Sequence, residues 1–318
     1  MELKQSQRIY PYSFTAKKSS FSSYFRRNIG LYAFLLPGFI YLFIFNYIPM
    51  YGIVIAFQDF NVVKGILGSD WIGWENFRYL FHSRDFLEIF KNSVFLSLLR
   101  IFWGFPAPII LAVMLNEAKN RIFKKSVQTI VYLPHFISWV ALAGMVSMFL
   151  APSGGLLNNL IEMLGGKAVP FLTKPEYFRT ILVITEIFKE VGWGTIIYLA
   201  AMTGIDPEIY EAAVIDGATR IQRILYITLP GIASTIVVLL VLRMGSVLRN
   251  GFEQVFLLQN PLVYSVSDIF ETYTYRVGLI EGRYSYSAAV GMFQSVVGFI
   301  MISITNWLSR RVNESSLY

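Results

Sequence analysis

Residues 203–232 read TGIDPEIYEAAVIDGATRIQRILYITLPGI and lie between two apolar runs, residues 180–202 and 232–258. A polar connection with helix signals, set between runs of membrane-crossing length, decides the fold class. Asp206 can cap a helix whose first residue, Pro207, has no N–H to leave unpaired. Acidic residues follow in the opening of that helix, where they suit the helix dipole. Gly217 is a natural place for the helix to end or for another backbone to come close. A second amphipathic stretch, Arg220 to Ile227, leads to Leu229-Pro230 and the next apolar run. The expectation is helix–turn–helix. The small side chains of Ala212 and Ala213, with Gly217, leave room for another surface to pack closely.

Working outward, apolar runs of about 20 residues occur at residues 31–57, 92–115, 127–150, 180–202, 232–258 and 286–308. The reading is an all-α integral membrane protein with six transmembrane helices. The first run is too long for a cleaved signal peptide and lacks a small-residue cleavage site after it. Pro37 and Pro49 in the first run, and Pro106 and Pro108 in the second, are expected to kink those helices. The fifth run is interrupted by Arg243, Arg249 and Glu253, and its outer end is expected to leave the bilayer at Leu248.

Composition supports this and excludes other classes. Of 318 residues 55% are hydrophobic and only 15% charged, with mean hydropathy +0.53, against about 25% charged in soluble domains. With no cysteine and two histidines, His82 and His135, little remains for a zinc, haem or iron–sulfur site. The net charge of +7 is not a nucleic-acid patch, because the basic residues flank apolar runs rather than forming one polar face. Fourteen of them (Lys4, Arg8, Lys17, Lys18, Arg26, Arg27, Lys119, Arg121, Lys124, Lys125, Arg220, Arg223, Arg310 and Arg311) fall at the termini and in alternate connections. The positive-inside rule makes those segments cytoplasmic, which an even number of spans satisfies.

The outer connections carry periodic segments, WIGWENFRYLF from Trp71 and SDIFETYTYRVGLIEG from Ser267. Both are expected to form short amphipathic helices lying as a lid at the outer face. The first 20 residues read as a flexible or surface-lying tail. Ionisable residues inside spans default to functional candidates, and there are five: Arg100, Glu186, Lys189, Glu190 and Arg243. Glu186 and Lys189, three apart on one helix, are expected to neutralise each other. Glu190 is followed by Gly192-Trp193-Gly194, where Trp193 offers a flat face of the kind sugars stack on, although helix packing explains the glycines equally well. Glu190, Trp193 and Arg243 are the candidate substrate pathway, and the alternative for Arg243 is an ion pair with Glu186 or Glu190. His135, beside Pro134 where the third run begins, reads as structural or interfacial, and His82 as solvated.

At the central connection the chain resembles a known family, the permease subunits of binding-protein-dependent ABC importers. Their signature is Glu-Ala-Ala, three residues, Gly, nine residues, Ile, one residue, Leu-Pro. It stands here as Glu211-Ala212-Ala213, Gly217, Ile227 and Leu229-Pro230 with every spacing kept. Asp216 and the preceding Ile-Asp-Pro-Glu-Ile-Tyr look like the sugar-importing branch similar to the maltose permeases. So do YLPHFIS at 132–138, GFEQVFLLQNPLV at 251–263 and the tail NWLSRRVNESSLY. The resemblance covers roughly Lys91 to the C-terminus, with the first span as the extra helix of that branch. It implies a cytoplasmic tail at 1–28, a first span and outer segment at 29–90, a permease core at 91–310 with its coupling loop at 203–230, and a tail at 311–318.

The resemblance implies a subunit of the bacterial cell membrane that forms half of a pore for oligosaccharides or polysaccharide fragments. Its partners would be a second, similar permease, two ATP-binding subunits and an extracellular solute-binding protein. The loop would dock in a cleft on the ATPase, with Glu211 contacting it. The chain itself has no Gly-x4-Gly-Lys-Ser/Thr loop; Gly165-Gly166-Lys167 lacks its spacing and hydroxyl. ATP and Mg are therefore expected on the partner, with no catalytic, cofactor or metal residue here. A membrane-embedded enzyme would need a nucleophile or metal cluster, and a channel a filter loop or Arg repeat; neither pattern is present. A secondary transporter that works without an ATPase is the remaining alternative.

Overall fold

The computed structural model of the chain describes Phe25, residues 28–249 and residues 251–313, with side chains through Trp307. The basic residues from Lys4 to Arg27, most of the 1–28 tail and most of the 311–318 tail lie outside the described residues. Contacts divide the chain into two units, residues 1–52 and 53–318. In the first, α1 (Ile29–Leu42) has no buried residue, and its side chains are apolar throughout. That is the composition of a helix able to cross hydrocarbon.

Among its described residues the second unit is mainly helical, with one antiparallel pair, β1 (Gln58–Asp59) with β2 (Asp70–Trp71). Its main helices are α2 (Glu75–His82), α3 (Arg84–Leu99), α4 (Pro106–Glu117), α5 (Arg121–Tyr132), α6 (Trp139–Phe149), α7 (Leu156–Met163), α8 (Pro175–Met202), α9 (Pro207–Ile215), α10 (Ala233–Gly245), α11 (Phe252–Leu258), α12 (Phe270–Tyr275) and α13 (Tyr284–Asn313). One buried cluster joins Leu96 of α3, Phe178 and Leu182 of α8 and Val255 of α11. A second joins Ala112 of α4, Tyr198 and Met202 of α8 and Ile232. Among the described residues three helices are long and apolar enough to cross a membrane: Ile29–Phe57, Arg84–Glu117 and Tyr284–Trp307. Two bent pairs raise the number to five. The 28-residue α8 is about 42 Å long at 1.5 Å per residue, enough to span, but it carries Glu186, Lys189 and Glu190.

Several expectations need correcting. The second span starts at Arg84 rather than residue 92. The third run is not one straight helix: the segments Arg121–Phe136 and Trp139–Phe149 meet at 104°. Ile137 and Ser138 are extended at the corner, and Ser138 caps α6 by accepting from the Ala141 N–H at 3.2 Å. The fifth run bends by 61° at Ile232 and its helix stops at Gly245. Pro37 sits inside α1 without interrupting it. Other prolines act through a wider turn: π-turns at Phe43–Tyr47, Arg100–Gly104 and Ile224–Thr228 precede Pro49, Pro106 and Pro230. Each begins six residues before its proline and ends two before it. A proline ring crowds the carbonyl four residues back, and a local i→i+5 turn makes room for it. The N–H of Phe105, for example, donates to the Arg100 carbonyl at 3.1 Å.

The outer segments also differ from a lid. Helix α2 forms where expected and buries Phe77 and Leu80. The segment from Ser267, however, is core: Ile269 and Phe270 are fully buried, and Tyr273 and Val277 nearly so. Asp268, Thr272 and Arg276 satisfy one another within it. Asp268 takes the Arg276 guanidinium on one oxygen and the Thr272 hydroxyl on the other at 2.8 Å. Burial pulls the Arg276 pKa down, but the bond and charge of Asp268 outweigh it and the net shift is upward. Burial, reinforced by Tyr286, pushes the Tyr273 phenol up.

Candidate functional site

Two features hold the chemistry: a cavity walled by the helices and the central loop. The cavity, of about 470 Å³, is lined by Arg100, Glu186, Glu190, Trp193, Arg243, Arg249 and Gln254, among others. Three guanidinium groups therefore face two carboxylates. Arg100 sits in the π-turn after α3, only 5% exposed, with Nε 2.6 Å from Glu186 Oε2. Arg243 of α10 brings Nη2 to within 2.6 Å of the other oxygen, Oε1. One carboxylate thus serves two cations from two other helices. Gln254 of α11 accepts from Arg100, and its amide donates to the Leu182 carbonyl and the Thr185 hydroxyl, both at 2.7 Å. Gly251, at φ +69°, allows the backbone to turn here; a Cβ there would lie 3.4 Å from Arg100 Nη1.

The expected Glu186–Lys189 pair does not form. Lys189 is buried, and its ammonium donates to the carbonyls of His135, at 2.8 Å, and Ile137. These carbonyls are left without helical partners by the corner between α5 and α6, and a lysine satisfies them. Glu190 meets His135 Nδ1 at 3.0 Å. The His135 ring in turn stacks on Trp193, centroids 4.6 Å apart and planes 4° apart. His135 thus connects the corner to the cavity wall, whereas His82 is exposed and bonds the Arg78 carbonyl. The two glycines beside Trp193 are packing residues: a Cβ on Gly192 would stand 1.9 Å from the Val131 oxygen, and one on Gly194 3.0 Å from Pro108 Cβ. For Arg243 the structure shows both features weighed from sequence, an ion pair with Glu186 and 41% exposure on the cavity wall. Sequence reading passed over Gln254 and Thr185 and treated Arg249 only as an interruption. The Arg-Asn-Gly turn signal at 249–251 marked the break that brings Arg249 to the cavity.

In the loop, Asp206 Oδ1 accepts from the Glu208 N–H at 3.0 Å, and Pro207 opens α9. The helix ends in a Schellman motif. Gly217, at φ +79°, donates to the Val214 carbonyl at 3.1 Å and Ala218 to that of Ala213 at 2.9 Å. Thr219 and Gln222 form a capping box for the next turn, and the Tyr210 hydroxyl meets that of Thr228 at 2.9 Å. Glu211, Ala212, Asp216, Gly217 and Pro230 are exposed, while Ala213, Ile227 and Leu229 are half-buried. Ile215 is 85% and Tyr226 76% exposed, and a groove of about 310 Å³ runs past Ala213, Gly217 and Tyr226.

A bundle of apolar helices with an open cavity lined by charged residues and a capped polar loop suits a membrane transport component. Residues 104–314 match the family described as binding-protein-dependent transport system inner membrane component. The chain belongs to that family of ABC importer permeases, whose members are permease subunits rather than enzymes. It is 43% identical over 318 residues to protein LplB of Bacillus subtilis (strain 168), covering 100% of both chains. It is 47% identical over 288 residues to the polygalacturonan/rhamnogalacturonan transport system permease protein YteP of the same organism, covering 91% of this chain and 90% of that one. A solved bacterial ABC transporter involved in import of the acidic polysaccharide alginate contains a chain with TM-score 0.87 and 45% identity, covering 93% of this chain and 100% of that one. A second structure of such a transporter, in complex with an alginate pentasaccharide-bound periplasmic protein, matches with TM-score 0.87 and 44% identity, covering 94% of this chain and 100% of that one.

Proposed function

We propose that this chain is one half of the translocation pore of an ATP-driven importer of oligosaccharides or polysaccharide fragments, acidic ones included. The sugar reaches it from an extracellular solute-binding protein. A second, similar permease completes the pore, and two ATP-binding subunits carry ATP and Mg. Both termini and the loop at 203–230 are cytoplasmic, and residues 91–310 form the permease core. The observation that carries this reading is the loop: a helix held by Asp206 at one end and Gly217 at the other presents Glu211, Ala212 and bare Ile215 to solvent. Such a preformed, partly apolar surface suits docking on another protein. Glu211 makes a polar contact to the ATPase there, Ala213 and Gly217 permit close approach, and Leu229-Pro230 transmits the movement into α10. The sugar route runs past Glu190, Trp193 and Arg243. The acidic cargo of the relatives suits the cationic surplus of the cavity.

The test is reconstitution in proteoliposomes with the second permease and the binding protein, with and without the ATP-binding subunits. Uptake that needs both ATP and those subunits supports the proposal. Uptake by the permeases alone makes the chain a secondary carrier.

A further inference from the structure

The cavity distributes its three guanidinium groups unequally. Arg100 and Arg243 both close on Glu186, and Arg100 also bonds Gln254. Arg249 lines the same cavity, yet among the described residues no carboxylate lies within ion-pair distance of it. Its position follows from the break in the fifth run. Helix α10 ends at Gly245, the Arg249 N–H turns back to the Ser246 carbonyl at 2.8 Å, and Gly251 redirects the chain into α11. A continued helix would not make this turn toward the cavity. The remaining carboxylate, Glu190, is engaged by His135.

We infer that Arg249 reads the carboxylate of an acidic sugar, while Glu186 holds Arg100 and Arg243 as structure. The inference rests on the cavity being the sugar route. A planar guanidinium matches a carboxylate with two parallel hydrogen bonds, which a neutral hydroxymethyl group cannot accept in the same way. Trp193, which lines the same cavity, supplies a flat apolar face for the sugar ring. Together they form the minimum of a uronate site: one cation for the acid and one ring for the sugar.

The experiment measures equilibrium binding to the assembled permease–ATPase complex in nanodiscs, without the binding protein, whose own selectivity would mask the effect. The probes are pentagalacturonate and the same oligomer with its carboxyls reduced to alcohols. Wild type should hold the acid about tenfold or more tightly than the reduced form, the order expected of a charge-assisted hydrogen bond. Arg249→Gln should bring that ratio to about one by weakening only the acid, and Arg249→Lys should restore part of it. A preference that survives Arg249→Gln, or equal binding of both probes to wild type, overturns the inference and leaves the sugar route standing. Binding of neither probe overturns both. Repeating the measurement in phosphatidylcholine with and without phosphatidylglycerol separates sugar from lipid. An Arg249 effect seen only with the anionic lipid assigns the residue to headgroups and overturns the inference.

Discussion

Replacing Glu186 by Gln removes the carboxylate on which two cations close. Arg100, at 5% side-chain exposure, is the costly one; Arg243, at 41%, is screened by solvent and adds little. Breaking a buried ion pair from one side costs about 3–5 kcal/mol, because a charge is left without its partner. Gln254 stays on Arg100, and the new amide can still accept one hydrogen bond, so the expected loss is near the lower figure, about 3 kcal/mol. At about 2–4 °C per kcal/mol, the unfolding midpoint should fall by roughly 6–12 °C. The assay is thermal unfolding of the reconstituted complex followed by tryptophan fluorescence. The Glu186→Leu/Arg100→Leu double variant should recover much of the loss, since a buried pair replaced by apolar groups is often neutral. A midpoint within 2 °C of wild type for Glu186→Gln, or a double variant as unstable as the two single changes added together, refutes this reasoning.

Lys189→Met should cost about 1–3 kcal/mol, the penalty for carbonyls that lose their donor. Hydrogen exchange should accelerate first around the corner at Ile137 and Ser138. Gly192→Ala forces a methyl group onto the Val131 carbonyl and should lower stability by about 1–3 kcal/mol or more, read as loss of folded permease after detergent extraction. Trp193→Ala should lower the unfolding midpoint by no more than the few degrees that the stack on His135 contributes, about 0.5–1.5 kcal/mol, and reduce uptake well beyond that, whereas unchanged uptake removes Trp193 from the route. Arg243→Gln should assemble normally and keep the preference for the acid over the reduced oligomer, since Glu186 already holds that guanidinium; a lost preference in an assembled complex places Arg243 in the reading of the acid.

Much of the architecture was legible because it rests on local chemistry. The Asp206 cap and the Gly217 terminus act within a few residues of themselves and appear where residue type and spacing put them, and the first, second and sixth apolar runs lie in helices of span length. What escaped depends on partners distant in sequence. The spacing of Glu186 and Lys189 says that they share a helix face, but not that Arg100 and Arg243 flank one and a broken helix end faces the other. The glycines around Trp193 looked like an opened surface until α5 and Pro108 filled them. The segment from Ser267 has the periodicity of a surface helix, yet with Asp268, Thr272 and Arg276 satisfying one another it can be buried. The two-residue strands are too short to leave an alternation in the sequence. The wide turns before Pro49, Pro106 and Pro230 lie between, since each proline was visible but its effect six residues upstream was not anticipated.

The central claim is that the loop at 203–230 couples ATP hydrolysis on a partner to passage of sugar through this chain. Gly217→Asn tests it most directly. Asn tolerates a positive φ better than other side chains, and a Cβ at Gly217 meets nothing within 4 Å in the chain itself. The Schellman turn should therefore survive while a side chain is added to the docking surface. With the complete transporter in proteoliposomes, ATP-driven uptake and the stimulation of ATPase activity by loaded binding protein should both fall about tenfold or more, a docking loss of about 1.4 kcal/mol, at an unfolding midpoint close to that of wild type. Uptake and stimulation equal to wild type in an assembled complex would contradict the claim.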